Sequence, residues 1–176
     1  PLSDYRNRRG NGSYLIDTVF WGRASVGTNS AKKLSFSANV EARTEDLGDI
    51  TYSSTVGLTY APLDRFSIDL DLGWKKRSEW LVYLGDKQFT SFDAVEIQPN
   101  LSMNFFISAK QQLRLKLQWV GIEADERQFW SVQDGVGDLV PRYKDLSDPT
   151  DDFTVSRLTA QVRYRWEIGP LSDLFL

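Results

Sequence analysis

Residues 95–123 read VEIQPNLSMNFFISAKQQLRLKLQWVGIE and contain two runs in which apolar and polar side chains alternate. From Val95 to Ile107 the apolar positions are interleaved with Glu, Gln, Asn and Ser. After a short polar link the pattern resumes from Leu113 to Trp119, with Arg, Lys and Gln between the apolar residues. A period of two residues is typical of a strand with one apolar and one polar face. The stretch therefore predicts a hairpin of two β-strands.

The arms of this hairpin are unusually long. Each runs to about a dozen residues, whereas strands of globular proteins usually have about five or six. A strand tilted by about 45° needs roughly 9–11 residues to cross a bilayer. The polar faces of the two arms are also too hydrophilic for a packed interior. The hairpin is therefore predicted to belong to the wall of a transmembrane β-barrel.

The composition excludes several classes of function. The sequence has no cysteine and no histidine, which excludes disulfides, thiolate or imidazole metal sites, and catalysis by either side chain. The formal net charge of -3 gives no basic surface for nucleic acid. No run approaches the roughly 18 consecutive apolar residues of a transmembrane helix. We therefore expect no nucleic-acid partner, no cofactor and no helical membrane span.

The same alternation predicts six further strands. The predicted strands lie near residues 14–26, 33–45, 51–61, 65–76, 95–108, 112–123, 155–168 and 173–176. The alternation is least regular in the first of them. Two long polar connections are predicted at 77–94 and 124–154, and the other links are short.

The connections alternate between short turns and links that include both long loops, which is the asymmetry of outer-membrane barrels. The predicted fold class is therefore all-β, an antiparallel up-and-down transmembrane β-barrel. Residues 1–176 would form a partial barrel domain of about eight strands. With this direction, the first strand descends from outside and the last ascends from inside. We therefore expect at least one more strand at each end, and roughly ten or more in total.

A soluble β-sandwich or a lipocalin-like binding protein is the alternative, because its strands also alternate. Strand length and the asymmetry of the connections favour the membrane barrel.

The polar face of the predicted wall carries charges of both signs, and in a barrel this face would line the lumen. They could form a charged passage or a binding surface for a polar solute, but cross-strand pairs that brace the wall are the favoured interpretation. The lumen-facing candidates are Glu41, Arg43, Asp69, Asp71, Glu96, Arg114, Lys116, Arg163, Arg165 and Glu167.

Neither catalysis nor a metal site has a strong signal. Asp69 and Asp71 share a face at a spacing of about 7 Å, compatible with a pair of glycosidase carboxylates, but such pairs are common in hydrated strands. The aspartates of the 124–154 connection offer oxygen ligands for calcium without the order of an EF-hand loop. We expect no catalytic, cofactor-binding or metal-binding residue here.

Aromatic residues are frequent in the two long connections. They could stack on sugar rings or contact a partner protein, since loops on a rigid scaffold often carry binding. Packing of the connections against each other is the favoured alternative. The candidates for recognition are Trp80, Tyr83, Phe89, Phe92, Phe129, Trp130 and Tyr143.

Two segments carry a resemblance to a known family. Residues 113–127, LRLKLQWVGIEADER, and residues 162–176, VRYRWEIGPLSDLFL, resemble the C-terminal barrel of the family called domain of unknown function 5916 of Gram-negative bacteria. The resemblance implies a preceding domain similar to carbohydrate-binding family 9 modules, and one or more strands after Leu176. It supplies no catalytic motif.

The expected function is that of an outer-membrane β-barrel protein acting as a pore, a transporter or a surface-binding scaffold. The alternative from another class is a membrane anchor for a carbohydrate-binding or carbohydrate-active protein whose functional module lies upstream. The expected location is the bacterial outer membrane. The expected partners are outer-membrane lipid, a polysaccharide or other polar solute, and an outer-membrane or surface protein.

Overall fold

The computed structural model describes residues 4–7, 13–85, 88–132, 137–144, 149–169 and 172–176. Within these ranges the chain is all-β, and it contains no helix that is long and apolar enough to cross a membrane. The strands are β1 Asp4–Asn7, β2 Ser13–Ile16, β3 Trp21–Gly27, β4 Leu34–Thr44, β5 Ile50–Leu63, β6 Phe66–Gly85, β7 Gln88–Ser108, β8 Gln111–Val132, β9 Leu139–Arg142, β10 Phe153–Gly169 and β11 Ser172–Phe175.

Within the described ranges, nine strands form one antiparallel sheet, in which β3 to β8 follow each other in chain order and β10 and β11 continue on the far side of β8. The short strand β9 pairs with β8 beyond the stretch that pairs with β10. Strands β1 and β2 form a separate pair. Over the described residues, β3 and β11 are the two edges and the sheet is not closed. The all-β antiparallel prediction is confirmed, and an open sheet is consistent with part of a barrel.

The predicted hairpin forms from β7 and β8, joined by residues 109–110. Leu101 pairs with Leu117, and the next residue, Ser102, pairs with Lys116. The register is uninterrupted from the Phe92–Glu126 pair to the Phe106–Gln112 pair. The two faces of the hairpin are therefore fixed over this whole length.

The predicted long connections at 77–94 and 124–154 are wrong over much of their length. Strand β6 continues to Gly85, β7 begins at Gln88, and β8 continues to Val132. The register shifts between Arg77 and Trp80, where Glu79 has a φ of 53°. A bulge of this kind adds a residue and interrupts the alternation without ending the strand. A pattern search therefore ends the strand too early.

The predicted strand at 14–26 is also wrong, because two strands in different sheets replace it. Residues 17–20 separate β2 from β3. The Asp17 amide donates to the carbonyl of Asp46, and the Phe20 amide donates to Oγ1 of Thr44 at 2.8 Å. These bonds hold the segment beside the end of β4 without a regular ladder, which agrees with its irregular alternation.

One side of the main sheet carries a continuous apolar surface, which we call the apolar band; its side of the sheet is the band face, and the other is the opposite face. In β7 the band extends from Val95 to Phe105. Register pairing extends it across the neighbouring strands. Exposed members include Phe36, Val40, Val56, Leu58, Leu70, Leu72, Trp74, Ile97, Leu158 and Val162. Among the described residues, every buried apolar side chain lies outside this band.

The polarity of both faces reverses along one row of paired residues. On the band face, this row contains Lys76, Val95, Glu123 and Thr154. On the opposite face, the next row contains Arg77, Ala94, Ala124 and Phe153. Directly beyond these rows the band face carries the charged Asp93 and Asp125, and the opposite face carries the apolar Phe92 and Trp80. We call the part of the sheet beyond them the extended end.

The extended end contains the packed core. One cluster consists of Leu81, Phe89 and Val132, covered in part by Val19, Leu47, Tyr83, Trp130 and Leu139. A second cluster consists of Phe92, Ala94 and Ala124, covered by Trp80, Val82 and Phe153. Phe89 and Phe92 are three positions apart in one strand and therefore lie on opposite faces. Both faces of β7 are thus covered here.

Gly121 should resist substitution because the ring of Trp119 lies across it. A Cβ at position 121 would collide with this indole, whose Nε1 donates to Oγ of Ser156 at 3.1 Å. We expect Gly121→Ala to lower the free energy of unfolding of the full-length protein by about 1–3 kcal/mol.

Gly73→Ala is the matched control for this change, because its Cβ would meet Gln98 at an ordinary 3.5 Å. We expect a change of about 0.5 kcal/mol or less for it. Urea unfolding measures both variants, and equal losses would contradict the proposed position of the Trp119 ring.

Candidate functional site on the face opposite the band

The ten charged residues predicted to share a face do so in the sheet. The strand register aligns Glu41 with Ser53, Lys75 and Glu96 in one row across four strands. Asp69 and Asp71 follow on β6, Arg114 and Lys116 on β8, and the remaining candidates on β4 and β10. All of them lie on the opposite face, behind the band. That this face lines a lumen stays a prediction.

Opposite charges lie together near the row of reversal. Lys75 is the register partner of Glu96. Arg77 lies 3.8 Å from Glu45 and 3.7 Å from Glu96, and it stacks over the ring of Trp80 at 4.6 Å. This part of the face corresponds to the bracing pairs favoured by the sequence analysis.

The carboxylates of β6 make contacts within the sheet. The Thr59 hydroxyl donates to Asp69 at 2.7 Å. Asp71 lies over Gly57, where a Cβ would approach its carboxylate oxygen to 2.6 Å. Gly57 therefore leaves space for Asp71 in the sheet. These contacts give both aspartates a structural role, and no cleft is needed to explain them.

The cationic residues gather on a different part of the same face. Arg114 and Arg163 are direct register partners on β8 and β10, and Lys116 is paired with Gln161. With Ser102 and Asn104 they line a groove of about 320 Å³. In this part of the face the charges are therefore segregated, with Asp69 and Asp71 on β6 and Arg114, Lys116 and Arg163 on β8 and β10. The sequence analysis weighed only their total numbers.

A network of ions at the extended end joins three strands and a turn. Arg127 lies 3.3 Å from Asp49, 3.4 Å from Glu79 and 3.3 Å from Asp93. Burial raises the pKa of Glu79, Asp49 raises it further, and Arg127 opposes both effects. Burial lowers the pKa of Arg127, but Asp93 and the other carboxylates outweigh this, so the net shift is upward.

A second network of ion pairs and hydrogen bonds attaches the connection between β9 and β10 to the sheet. Lys144 Nζ lies 2.7 Å from Glu126 and 3.0 Å from Asp151. The Asp151 amide donates to Glu126, and the buried hydroxyl of Thr90 donates to Asp151 at 3.0 Å. Burial lowers the pKa of Lys144, but its bonds to the two carboxylates raise it more. Sequence reasoning missed Arg77, Arg127 and Lys144 because they lay in predicted loops.

Most of the aromatic candidates pack within the extended end. Phe89 and Phe92 are each 1% exposed, so these two recognition candidates are buried, as the favoured alternative of packing predicts. Trp80, Tyr83, Phe129 and Trp130 are partly buried. The Trp130 indole donates to Ser91 at 3.1 Å. Tyr143 is 92% exposed and is the candidate best placed to meet a ligand.

No group of His, Cys, Asp or Glu residues that could hold a metal ion occurs among the described residues. Asp134, Asp145 and Asp148, which belong to the aspartate-rich connection, lie outside the described ranges.

Replacement of Arg127 should produce a stability loss that depends on pH. In Arg127→Gln the three carboxylates lose their shared cation and the pKa of Glu79 rises further. A carboxylate whose folded pKa is raised above its unfolded value stabilises below the unfolded pKa, and this contribution is lost as pH rises. We expect a loss of about 0.5–1 kcal/mol at pH 7, because the side chains are partly exposed.

This loss should shrink as pH falls towards 4.5, the ordinary value of Glu79. Urea unfolding at several pH values measures it. Arg142→Gln is the control, because Arg142 has no carboxylate within 4 Å among the described residues. A loss that is independent of pH, or the same in both variants, would contradict the network.

One family matches the chain. The family described as domain of unknown function (DUF5916) matches residues 2–176. No curated protein and no solved structure matches the chain significantly. The match covers nearly the whole sequence, including both segments that carried the resemblance. The chain therefore belongs to the family of domain of unknown function 5916.

Proposed function

We propose that this sheet is part of the wall of a bacterial outer-membrane β-barrel, which serves as a pore, a transporter or a surface-binding scaffold. The band face contacts lipid and the opposite face lines a hydrated interior. The extended end projects beyond the membrane on the outer side. The observation that carries the proposal is the reversal of polarity on both faces along one row of the sheet.

The exposure of the apolar band supports contact with lipid. Monomeric soluble proteins rarely expose contiguous apolar patches larger than a few hundred Å². The band crosses strands β4 to β8 and β10, with members such as Leu72 and Val162 well exposed. Lipid chains would cover such a surface, so that no second protein layer is needed to bury it.

The height of the band supports a transmembrane position. From Val95 to Phe105 the strand advances by ten residues (105 − 95). At about 3.4 Å per residue and a tilt of about 45°, this corresponds to roughly 24 Å, close to the apolar band of about 25 Å in outer-membrane barrels.

The reversal separates the membrane proposal from a soluble β-sandwich. In a sandwich the same face of each strand meets the core along its length. Here the register of β7 with β8 is constant from Phe92 to Phe106 and keeps each side chain on its face, yet the polarity of both faces changes at one level. A membrane surface at this level accounts for both changes. Outside the wall, lipid gives way to the charged row of Asp93 and Asp125 and then to the cluster around Phe89; inside it, water gives way to the cluster around Phe92.

The two ends of the sheet support an orientation. At the end away from the reversal, residues 64–65 and 109–110 are short turns. At the other end β6, β7 and β8 have 20, 21 and 22 residues and carry the packed core. Outer-membrane barrels have short periplasmic turns and larger extracellular structures. The extended end therefore corresponds to the cell surface, where it forms a base for binding.

Two adjacent residues of β7 test which face meets lipid. Leu101 lies in the middle of the band, and Asn100 lies on the opposite face as the register partner of Asp71. An arginine on the lipid face at the bilayer centre costs about 2–4 kcal/mol. We expect Leu101→Arg to reduce the amount of folded full-length protein in the outer membrane at least several-fold.

Asn100→Arg is the matched control and should assemble like the wild type, because its charge meets water and Asp71. Cell fractionation and urea extraction of the membranes measure both variants. Equal assembly of the two variants, or recovery of the wild type as a soluble protein, would contradict the proposal.

A further inference from the structure

We infer that Arg114, Lys116 and Arg163 form a binding site for an oxyanion, such as the phosphate or sulfate group of a solute inside the barrel. The inference rests on the proposed function, because it assumes that the opposite face lines a hydrated interior. It adds that the interior prefers anions and that the anion binds between β8 and β10.

The arrangement of the two arginines is unfavourable without a ligand. Arg114 and Arg163 are direct cross-strand partners, and like charges in this relation destabilise a sheet. Lys116 is two residues from Arg114 on the same face, which adds a third positive charge. No carboxylate lies within 4 Å of these three side chains among the described residues. An anion held between them would remove the repulsion.

The acids of β6 are too distant to neutralise this cluster. Asp69 is paired with Ser102, and Ser102 is paired with Lys116, so a whole strand separates the two charges. Two strand spacings amount to about 9–10 Å. Arg165 differs from the cluster, because it already forms an ion pair with Asp173 at 3.0 Å.

Two glutamines orient the guanidinium groups. With its amide in the orientation that satisfies both partners, the Gln112 oxygen accepts from Nε and Nη2 of Arg114 at 2.9 and 3.1 Å. The Gln161 oxygen accepts from the same atoms of Arg163 at 3.3 and 3.0 Å. Gln112 is only 7% exposed, so its side chain is held in place. The Gln-x-Arg pattern thus repeats on adjacent strands.

This geometry selects an oxyanion over chloride. Each glutamine binds Nε and Nη2 and leaves Nη1 of its arginine available to a ligand. A tetrahedral oxyanion can accept from two guanidinium groups and from the Lys116 ammonium together, through different oxygens. The groove of about 320 Å³ beside these side chains has room for such a group.

The test uses the full-length protein in neutral detergent with inorganic pyrophosphate as the probe, followed by isothermal titration calorimetry at about 50 mM salt. We expect Arg114→Gln/Arg163→Gln to weaken binding at least tenfold. The control is Arg23→Gln/Arg43→Gln, which removes two arginines from the same face on β3 and β4 and should change binding less than twofold. Arg163→Lys keeps the charge without the planar donor group, so it should fall between these results.

Three outcomes would overturn the inference. They are no binding of pyrophosphate by the wild type, equal losses in the two double variants, and binding of anionic lipid vesicles but not of pyrophosphate, which would indicate a lipid headgroup as the source of the anion. Membrane assembly of the same variants is measured separately. A wild type that enters the membrane but does not bind pyrophosphate overturns the anion site alone, whereas a wild type that does not enter the membrane overturns the proposed function.

Discussion

The uninterrupted hydrogen-bond ladder between β7 and β8 is the constraint on which the rest of the structure depends. Antiparallel pairing without a register shift from Phe92 to Phe106 prevents any side chain from changing face. The same holds between β8 and β10 from Ala124 to Gln111. Leu117 and Glu123 therefore occupy the same face of one strand. The change from an apolar to a charged side chain must reflect a change in what that face contacts. Because the ladder fixes the face of each side chain, a change in the sequence pattern indicates a change in the environment of that face.

In the extended end the strands continue beyond the apolar band and are held in place by other contacts. Phe89 and Phe92 anchor clusters on opposite faces of β7, and Arg127 and Lys144 join β8 to neighbouring segments through carboxylates. These contacts provide the burial that an isolated hairpin would lack. In the proposed barrel they make a rigid platform above the membrane, from which Tyr143 is exposed.

The regular part of the fold could be predicted from the sequence, because alternation in the hairpin from Val95 to Glu123 fixes both the strand type and the shared face. The extended end could not be predicted in the same way. Its alternation reverses near Ala124, and the bulge at Glu79 adds a further phase shift, so a search for one continuous pattern ends there. The break at residues 17–20 depends on bonds to β4, which is distant in sequence.

The candidate site could likewise be predicted only in part from the sequence. Alternation alone places Arg114 and Arg163 on one face, but only the register of β8 with β10 makes them neighbours. The same register separates them from Asp69 by a whole strand. A balanced count of charges therefore conceals a separated arrangement, in which the bases can attract a ligand that the acids cannot replace.

The central claim is that a membrane surface crosses the sheet at the row of reversal. A series of single cysteines along β8 of the full-length protein, from position 113 to 126, tests it most directly when each is labelled with a fluorophore quenched by lipid-bound nitroxides. We predict strong quenching at positions 113, 115, 117 and 119, and weak quenching at the even positions between them. Quenching should then disappear at positions 123 and 125, where a water-soluble quencher should act instead. Uniform protection of the odd positions from both quenchers would contradict the account and indicate a buried protein face.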